Sequence, residues 1–200
     1  MQDQPDSKRP TLLIIRGLPG SGKTYLAAEL QKSFSSVSPL MLDPDATDHQ
    51  SAGYAAYTKN LTAEGVDAAL HPYRFLRAQA YRGIEESKLI IWNQPFTNLG
   101  MFDKMIAGLQ NYAEEHGEHL QLLVVEVEID PAIARQRVIQ RKLAGGHGPS
   151  DDTFASRVAD YGSFASHGYP TLAVQGEADV SQSVAMVKDA LYGLWAETSA

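Results

Sequence analysis

Cysteine is absent from this 200-residue chain. That excludes disulfides, thiolate metal sites and cysteine nucleophiles, and it suits a reducing compartment. Long apolar runs are also missing, since no stretch approaches the ~20 residues needed to span a bilayer. The opening residues, MQDQPDSKRP, are polar and contain no apolar signal segment. The expectation is a cytoplasmic protein with a flexible tail over residues 1–9 and no membrane partner. Positive charge is scarce as well. A formal net charge of −7 supplies no global field toward nucleic acid or anionic lipid. Nucleic acid is therefore possible but not favoured as a partner. What remains is 44% hydrophobic and 20% charged, the composition of a globular protein, and residues 10–200 are expected to form a single domain.

Short apolar runs alternate with longer helical patterns. TLLIIR (11–16), KLIIW (88–92) and LQLLVVEVEI (120–129) are the clearest strands. SPLMLD (38–43), weakened by Pro39, and PTLAVQG (170–176) add two more. Helical patterns cover 23–34, 72–87, 98–116, 131–143, 151–162 and 180–195. The alternation predicts an α/β, three-layer fold with a mainly parallel, about five-stranded sheet. Two stretches read as irregular, DPDATDHQSAGYAAYTKN (43–60) and AGGHGPSDD (144–152). In an open parallel sheet the ligand crevice lies at the carboxyl ends of the strands, and the segments leaving those ends are where chemistry is expected.

GLPGSGKT (17–24) matches G-x-x-x-x-G-K-[ST] without deviation, between a strand and a helix. Gly17, Gly20 and Gly22 let several backbone N–H groups face one anion. The helix from Lys23 adds its positive end, Lys23 a cation for the outer phosphates, and the Thr24 hydroxyl a Mg²⁺ ligand. The expected nucleotide-binding set is Gly17, Leu18, Pro19, Gly20, Ser21, Gly22, Lys23, Thr24 and Tyr25, with ATP and Mg²⁺ as ligands. The plain alternative, a Gly-rich turn, would not bring the strand, the spacing and the helix together. No N/T-K-x-D segment sits where a GTPase would need it. The chain is too short for an AAA+ core with its helical lid, and an ABC-type signature is missing. Compact P-loop kinases remain, with an acid after the second strand and an arginine-bearing lid.

LDPDATD carries Asp43, Asp45 and Asp48. If the strand at 38–43 neighbours the one before the phosphate loop, one carboxylate could take a proton from an acceptor hydroxyl and another could serve Mg²⁺. Asp-Pro-Asp is equally good turn sequence. Downstream, Asp130 and Pro131 read as N-cap and first helical residue. Arg137 and Arg141 then share a helix face, His147 lies in the glycine-rich loop, and Arg157 follows on the next helix. Such cations could close over a triphosphate, although a helix C-terminus favours Arg141 and Lys142 whatever the function. Tyr54, Tyr57, Lys59, His71, Tyr73, Arg74 and Arg77 could line an acceptor site or simply form a helix with one solvated face. Trp92 and Trp195 read as packing residues.

From about residue 11 to residue 165, these segments resemble the zeta-toxin family of P-loop kinases and the related small polynucleotide-kinase-like proteins. The resemblance rests on GLPGSGKT, on LDPDA, and on RVIQRKLAGGH followed by Arg157. It implies a lid over about 141–157, Asp45 as the counterpart of the family's catalytic Asp, and Arg141 and Arg157 as phosphate-contacting residues. It further implies a kinase acting on a small-molecule hydroxyl, with a sugar nucleotide as the family's hallmark. Lys23, Asp45, Arg137, Arg141 and Arg157 are the expected catalytic residues, and Asp45, Tyr54, Asn93 and His147 the expected substrate contacts. One departure stands out. Where the family carries an acid at the end of the third strand, this chain has Asn93, which leaves metal ligation to Thr24 and Asp43. Other readings are a polynucleotide 5′-hydroxyl kinase, a decayed ATP-binding module and a simple NTPase. An antitoxin partner is not inferable from the sequence.

Overall fold

The computed structural model describes residues 9–197, so all but the last residue of the expected tail at 1–9 lies outside it. In chain order the elements are β1 (Thr11–Gly17), α1 (Lys23–Ser33), β2 (Leu40–Leu42), α2 (Ala52–Ala63), α3 (His71–Glu85) and β3 (Leu89–Asn93). They continue with α4 (Leu99–Glu115), β4 (Gln121–Glu128), α5 (Pro131–Leu143), α6 (Asp151–Ala159), β5 (Thr171–Gln175) and α7 (Val180–Glu197). The five strands form one sheet in the order β2-β3-β1-β4-β5, and every pairing is parallel.

β1 is central and all seven of its residues are buried. Successive side chains point to opposite faces. Leu12 and Ile14 pack against Leu76, Ala80, Phe102 and Ile106 of α3 and α4. Leu13 and Ile15 pack against Leu26 and Leu30 of α1 and Val187, Leu191 and Trp195 of α7. This makes the expected three layers. Trp92 and Trp195 both lie in these cores, and the Trp195 Nε1–H donates to Thr11 Oγ1 at 2.9 Å. A third cluster, Leu18 with Ala134, Val138 and Phe154, ties α5 and α6 to the loop after β1. Asp130 and Ser150 cap α5 and α6, accepting from Ala132 N and Thr153 N. Among the described residues no helix is long and apolar enough to cross a membrane.

Two expectations are corrected. β2 pairs with β3, so the strand carrying Asp43 does not neighbour β1; β3 and its terminal Asn93 lie between them. The stretch 43–60, read as irregular, contains most of α2. Ser51 caps that helix by accepting from Tyr54 N. Only Leu61 of α2 is buried, so there is no apolar stripe for periodicity to detect. The Ser-Ala-Gly start and its alanines were the available local signal.

Close approach of α3 to the sheet requires Gly83. A Cβ there would lie 2.8 Å from Ile90 Cγ1 and 3.0 Å from Leu40 Cδ2. Gly83→Ala is expected to lower stability by about 1–3 kcal/mol through overpacking. Gly53→Ala on α2 meets nothing within 4 Å and is expected to gain up to about 1 kcal/mol. Urea denaturation of both variants checks the difference in sign.

Candidate active site

At the carboxyl rim of the sheet, β1 runs directly into the phosphate loop. Gly20 and Gly22 sit at φ 90 and 96, a region that side chains disfavour. At Gly20 a Cβ would also lie 2.3 Å from the Ala134 carbonyl oxygen. Gly176, just beyond β5, has the same restriction, because a Cβ there would lie 2.3 Å from Ser21 O. Arg137 joins these pieces, donating from Nη1 to Gly20 O at 3.4 Å and to Gly176 O at 3.0 Å. It was expected among the phosphate-facing arginines. Its guanidinium is instead hydrogen-bonded to two backbone carbonyls, so it braces the loop from α5. Gly176 was missed from the sequence; its signal was a glycine at the carboxyl end of a strand.

Lys23 is partly buried. Burial lowers its pKa from the usual 10.5 to about 8, opposed by the carboxylates of Asp45 and then Asp43, and reinforced by Arg141 and Arg157. The charges of Asp43, Asp45, Arg141 and Arg157 thus all act on this one amine. Asp45 is exposed on the short turn Pro44–Ala46. Asp43 holds that turn by accepting from Asp45 N at 2.8 Å. Arg141 is exposed at the end of α5 and Arg157 half-buried on α6. Neither makes an ion pair among the described residues.

Asn93 is 3% exposed and links two other elements. Its Nδ2 donates to Thr24 Oγ1 at 3.0 Å and to Asp43 Oδ2 at 2.5 Å. Its Oδ1 is buried without a hydrogen-bond partner among the described residues. A hydroxyl has two acceptor lone pairs, so Thr24 Oγ1 can accept from Asn93 and still ligate a cation. One hydroxyl and one carboxylate are hard oxygen donors, few in number, and fit Mg²⁺, which keeps several waters and takes its other ligands from phosphates.

The remaining expected residues are placed differently. Tyr25 is 61% exposed on the first turn of α1. The Tyr54 ring meets His49 and Phe75 edge-on at 4.8 and 5.1 Å, which packs it between α2 and α3. His147 is exposed on the loop between α5 and α6 and makes no hydrogen bond among the described residues. That loop turns at Gly145, φ 83, and an Arg135–Asp151 bridge of 2.8 Å joins its two flanking helices.

Residues 12–161 match a protein family described as an AAA domain. No curated protein matches. Solved structures of like fold include a Chloroflexus aurantiacus protein proposed to be a kinase, with a TM-score of 0.61 and 17% identity over 94% of this chain and 99% of that one. The APS kinase of Mycobacterium tuberculosis, in complex with AMPPNP and APS, matches at 0.54 and 15% identity over 92% and 98%. The PezAT chromosomal toxin–antitoxin system of Streptococcus pneumoniae matches at 0.54 and 14% identity over 87% and 71%. At these identities the likeness is one of fold, that of a P-loop kinase-like domain.

The lowered pKa of Lys23 has a sign that can be tested. A bound polyphosphate favours the charged amine, so binding takes up a proton once the free chain has begun to lose its own near pH 8. Nucleotide affinity is expected to weaken as pH rises through about 8. Stability without nucleotide is expected to rise between about 8 and 10.5, where the unfolded chain binds more protons than the folded one. Calorimetry in two buffers of different ionisation heat checks the uptake; equal heats from pH 7 to about 9.5 would contradict it.

Proposed function

The chain belongs to that AAA domain family, and we propose that it is a P-loop kinase moving the γ-phosphoryl of ATP to a hydroxyl of a small molecule. The observation that carries this reading is that Asn93 joins Thr24 of the phosphate loop to Asp43, while the charges of Asp45, Asp43, Arg141 and Arg157 act on the Lys23 amine. A nucleotide-binding loop alone needs neither the acids nor the distal cations, whereas phosphoryl transfer needs both.

In this reading the amides of Gly17–Thr24 and the Lys23 ammonium hold the β- and γ-phosphates, with Arg137 keeping the loop in shape. Thr24 and Asp43 would hold Mg²⁺, which when bound neutralises phosphate charge and orients the γ-group. Asn93 orients both ligands through its amide. Asp45 accepts the proton of the acceptor hydroxyl as the acceptor oxygen bonds to the γ-phosphorus. The bond from that phosphorus to the bridging oxygen breaks, and ADP leaves with the electron pair. Arg141 and Arg157 stabilise the charge on the migrating group. The resemblance to zeta toxins supports a sugar nucleotide as acceptor, and the net charge of −7 weighs against a nucleic-acid 5′-hydroxyl. A second reading is motivated by Asn93 standing where the family has an acid: a module that binds ATP tightly and transfers nothing.

One incubation separates these readings. The protein is mixed with ATP·Mg²⁺ and a cell metabolite extract, and ADP, free phosphate and new phosphorylated species are followed by mass. A kinase forms ADP with a phosphorylated product, an NTPase forms ADP with phosphate, and a binding module forms neither. Lys23→Ala is expected to weaken ATP binding and to cost at least roughly 10²–10³-fold in turnover. Asp45→Ala is expected to lose as much turnover while still binding ATP. Unchanged turnover in Lys23→Ala would refute the site.

A further inference from the structure

Arg16 and Glu126 are charges inside two of the most buried strands, register neighbours on β1 and β4. Their side chains are 0% and 3% exposed. Burying such a pair is costly unless its polar atoms find partners. Arg16 points to the α3–α4 face, as Leu12 and Ile14 do. Its Nη1 donates to Glu126 Oε1 at 2.5 Å and to Gly162 O at 2.6 Å. Glu126 accepts from Ser163 Oγ at 2.7 Å and from Phe164 N at 2.6 Å. The Arg16 guanidinium carbon lies 4.2 Å from the Tyr161 ring centroid and 3.8 Å from that of Phe164. Four successive residues, Tyr161 to Phe164, are therefore held by one ion pair.

This segment follows α6 almost directly, and Arg157 lies in the last turn of that helix. Arg16 immediately precedes Gly17 of the phosphate loop. A single buried guanidinium thus joins the strand that feeds the loop to the segment that follows α6. Apolar residues would fill the same space at least as well, since buried pairs are weak evidence of stabilisation. A cleft of about 200 Å³, lined by Leu18, Val127 and Val158 among others, leaves space beside the C-terminal end of α6.

We propose that Arg16 and Glu126 are positioning residues: by fastening Tyr161–Phe164 to the end of β1, they set the pivot on which α6 carries Arg157 over the phosphates. The kinetic half of this inference rests on the phosphotransferase reading, whereas the pivot is a property of the unliganded chain.

The test replaces the pair in the full chain by apolar groups of similar size, Arg16→Met with Glu126→Leu, a kind of change that buried ion pairs often tolerate. Without nucleotide, amide exchange in α6 is expected to accelerate about tenfold while β1 and α1 keep their protection. With ATP·Mg²⁺ and acceptor, turnover is expected to fall about tenfold at an unchanged KM for ATP. Ser163→Ala removes one hydrogen bond to Glu126 and is expected to shift α6 exchange the same way by less, which keeps the test decisive if the double variant does not fold. Unaltered α6 exchange overturns the pivot, and so does acceleration spread evenly over α1 and α6. Faster α6 exchange with unchanged turnover overturns the positioning role. A wild-type chain that forms no ADP with any acceptor sinks the kinase reading, and the exchange result still decides the pivot.

Discussion

The rim of the candidate site depends on a backbone contact that only glycine permits. Gly20 approaches the Ala134 carbonyl, Gly176 approaches the carbonyl of Ser21, and Arg137 spans Gly20 and Gly176. Three separate stretches of chain are clamped together there: the phosphate loop, the first turn of α5 and the exit of β5. A charged donor on a backbone carbonyl contributes more than a neutral one, about 1.5–3 kcal/mol. Because α5 is registered against the loop by this clamp, Arg141 at its far end has a defined relation to Lys23. Loosening the clamp would alter the loop's shape and the bearing of α5 together.

Charge placement follows from strand order. With β3 between β2 and β1, Asn93 lies between Thr24 and Asp43 and binds both. A carboxylate at that position would face Asp43 across 2.5 Å, and like charges so close would have to share a proton. The neutral amide instead donates to both the carboxylate and the hydroxyl. Lys23, Arg141 and Arg157 face this acidic edge with more positive charge than Asp43 and Asp45 can balance, which is the condition for receiving a polyphosphate.

Much of this was legible locally. The phosphate loop, the five strands, the caps at Asp130 and the distal arginines all announce themselves in short windows of residues. α2 did not, because it buries little more than Leu61 and so writes no stripe into the sequence. Arg137 and Arg141 looked equivalent on one helix face, yet one is held by carbonyls and the other makes no ion pair among the described residues. Arg16 and Glu126 were visible as charges within apolar runs, but nothing near them in sequence names their partners.

The sequence by itself determined that a strand would end in an anion-binding loop and that helices would cover a parallel sheet on both faces. Those outcomes need only glycines at fixed spacing and apolar residues at fixed periods. Tertiary structure alone decided which groups meet across the rim. Asn93 reaches Asp43 and Thr24 over 50 and 69 residues of chain, Arg16 reaches Glu126 over 110, and Arg137 reaches Gly20 over 117. Contacts at such separations are set by how strands order themselves in the sheet, and that order is fixed by packing of whole elements, not by any residue's neighbours along the chain.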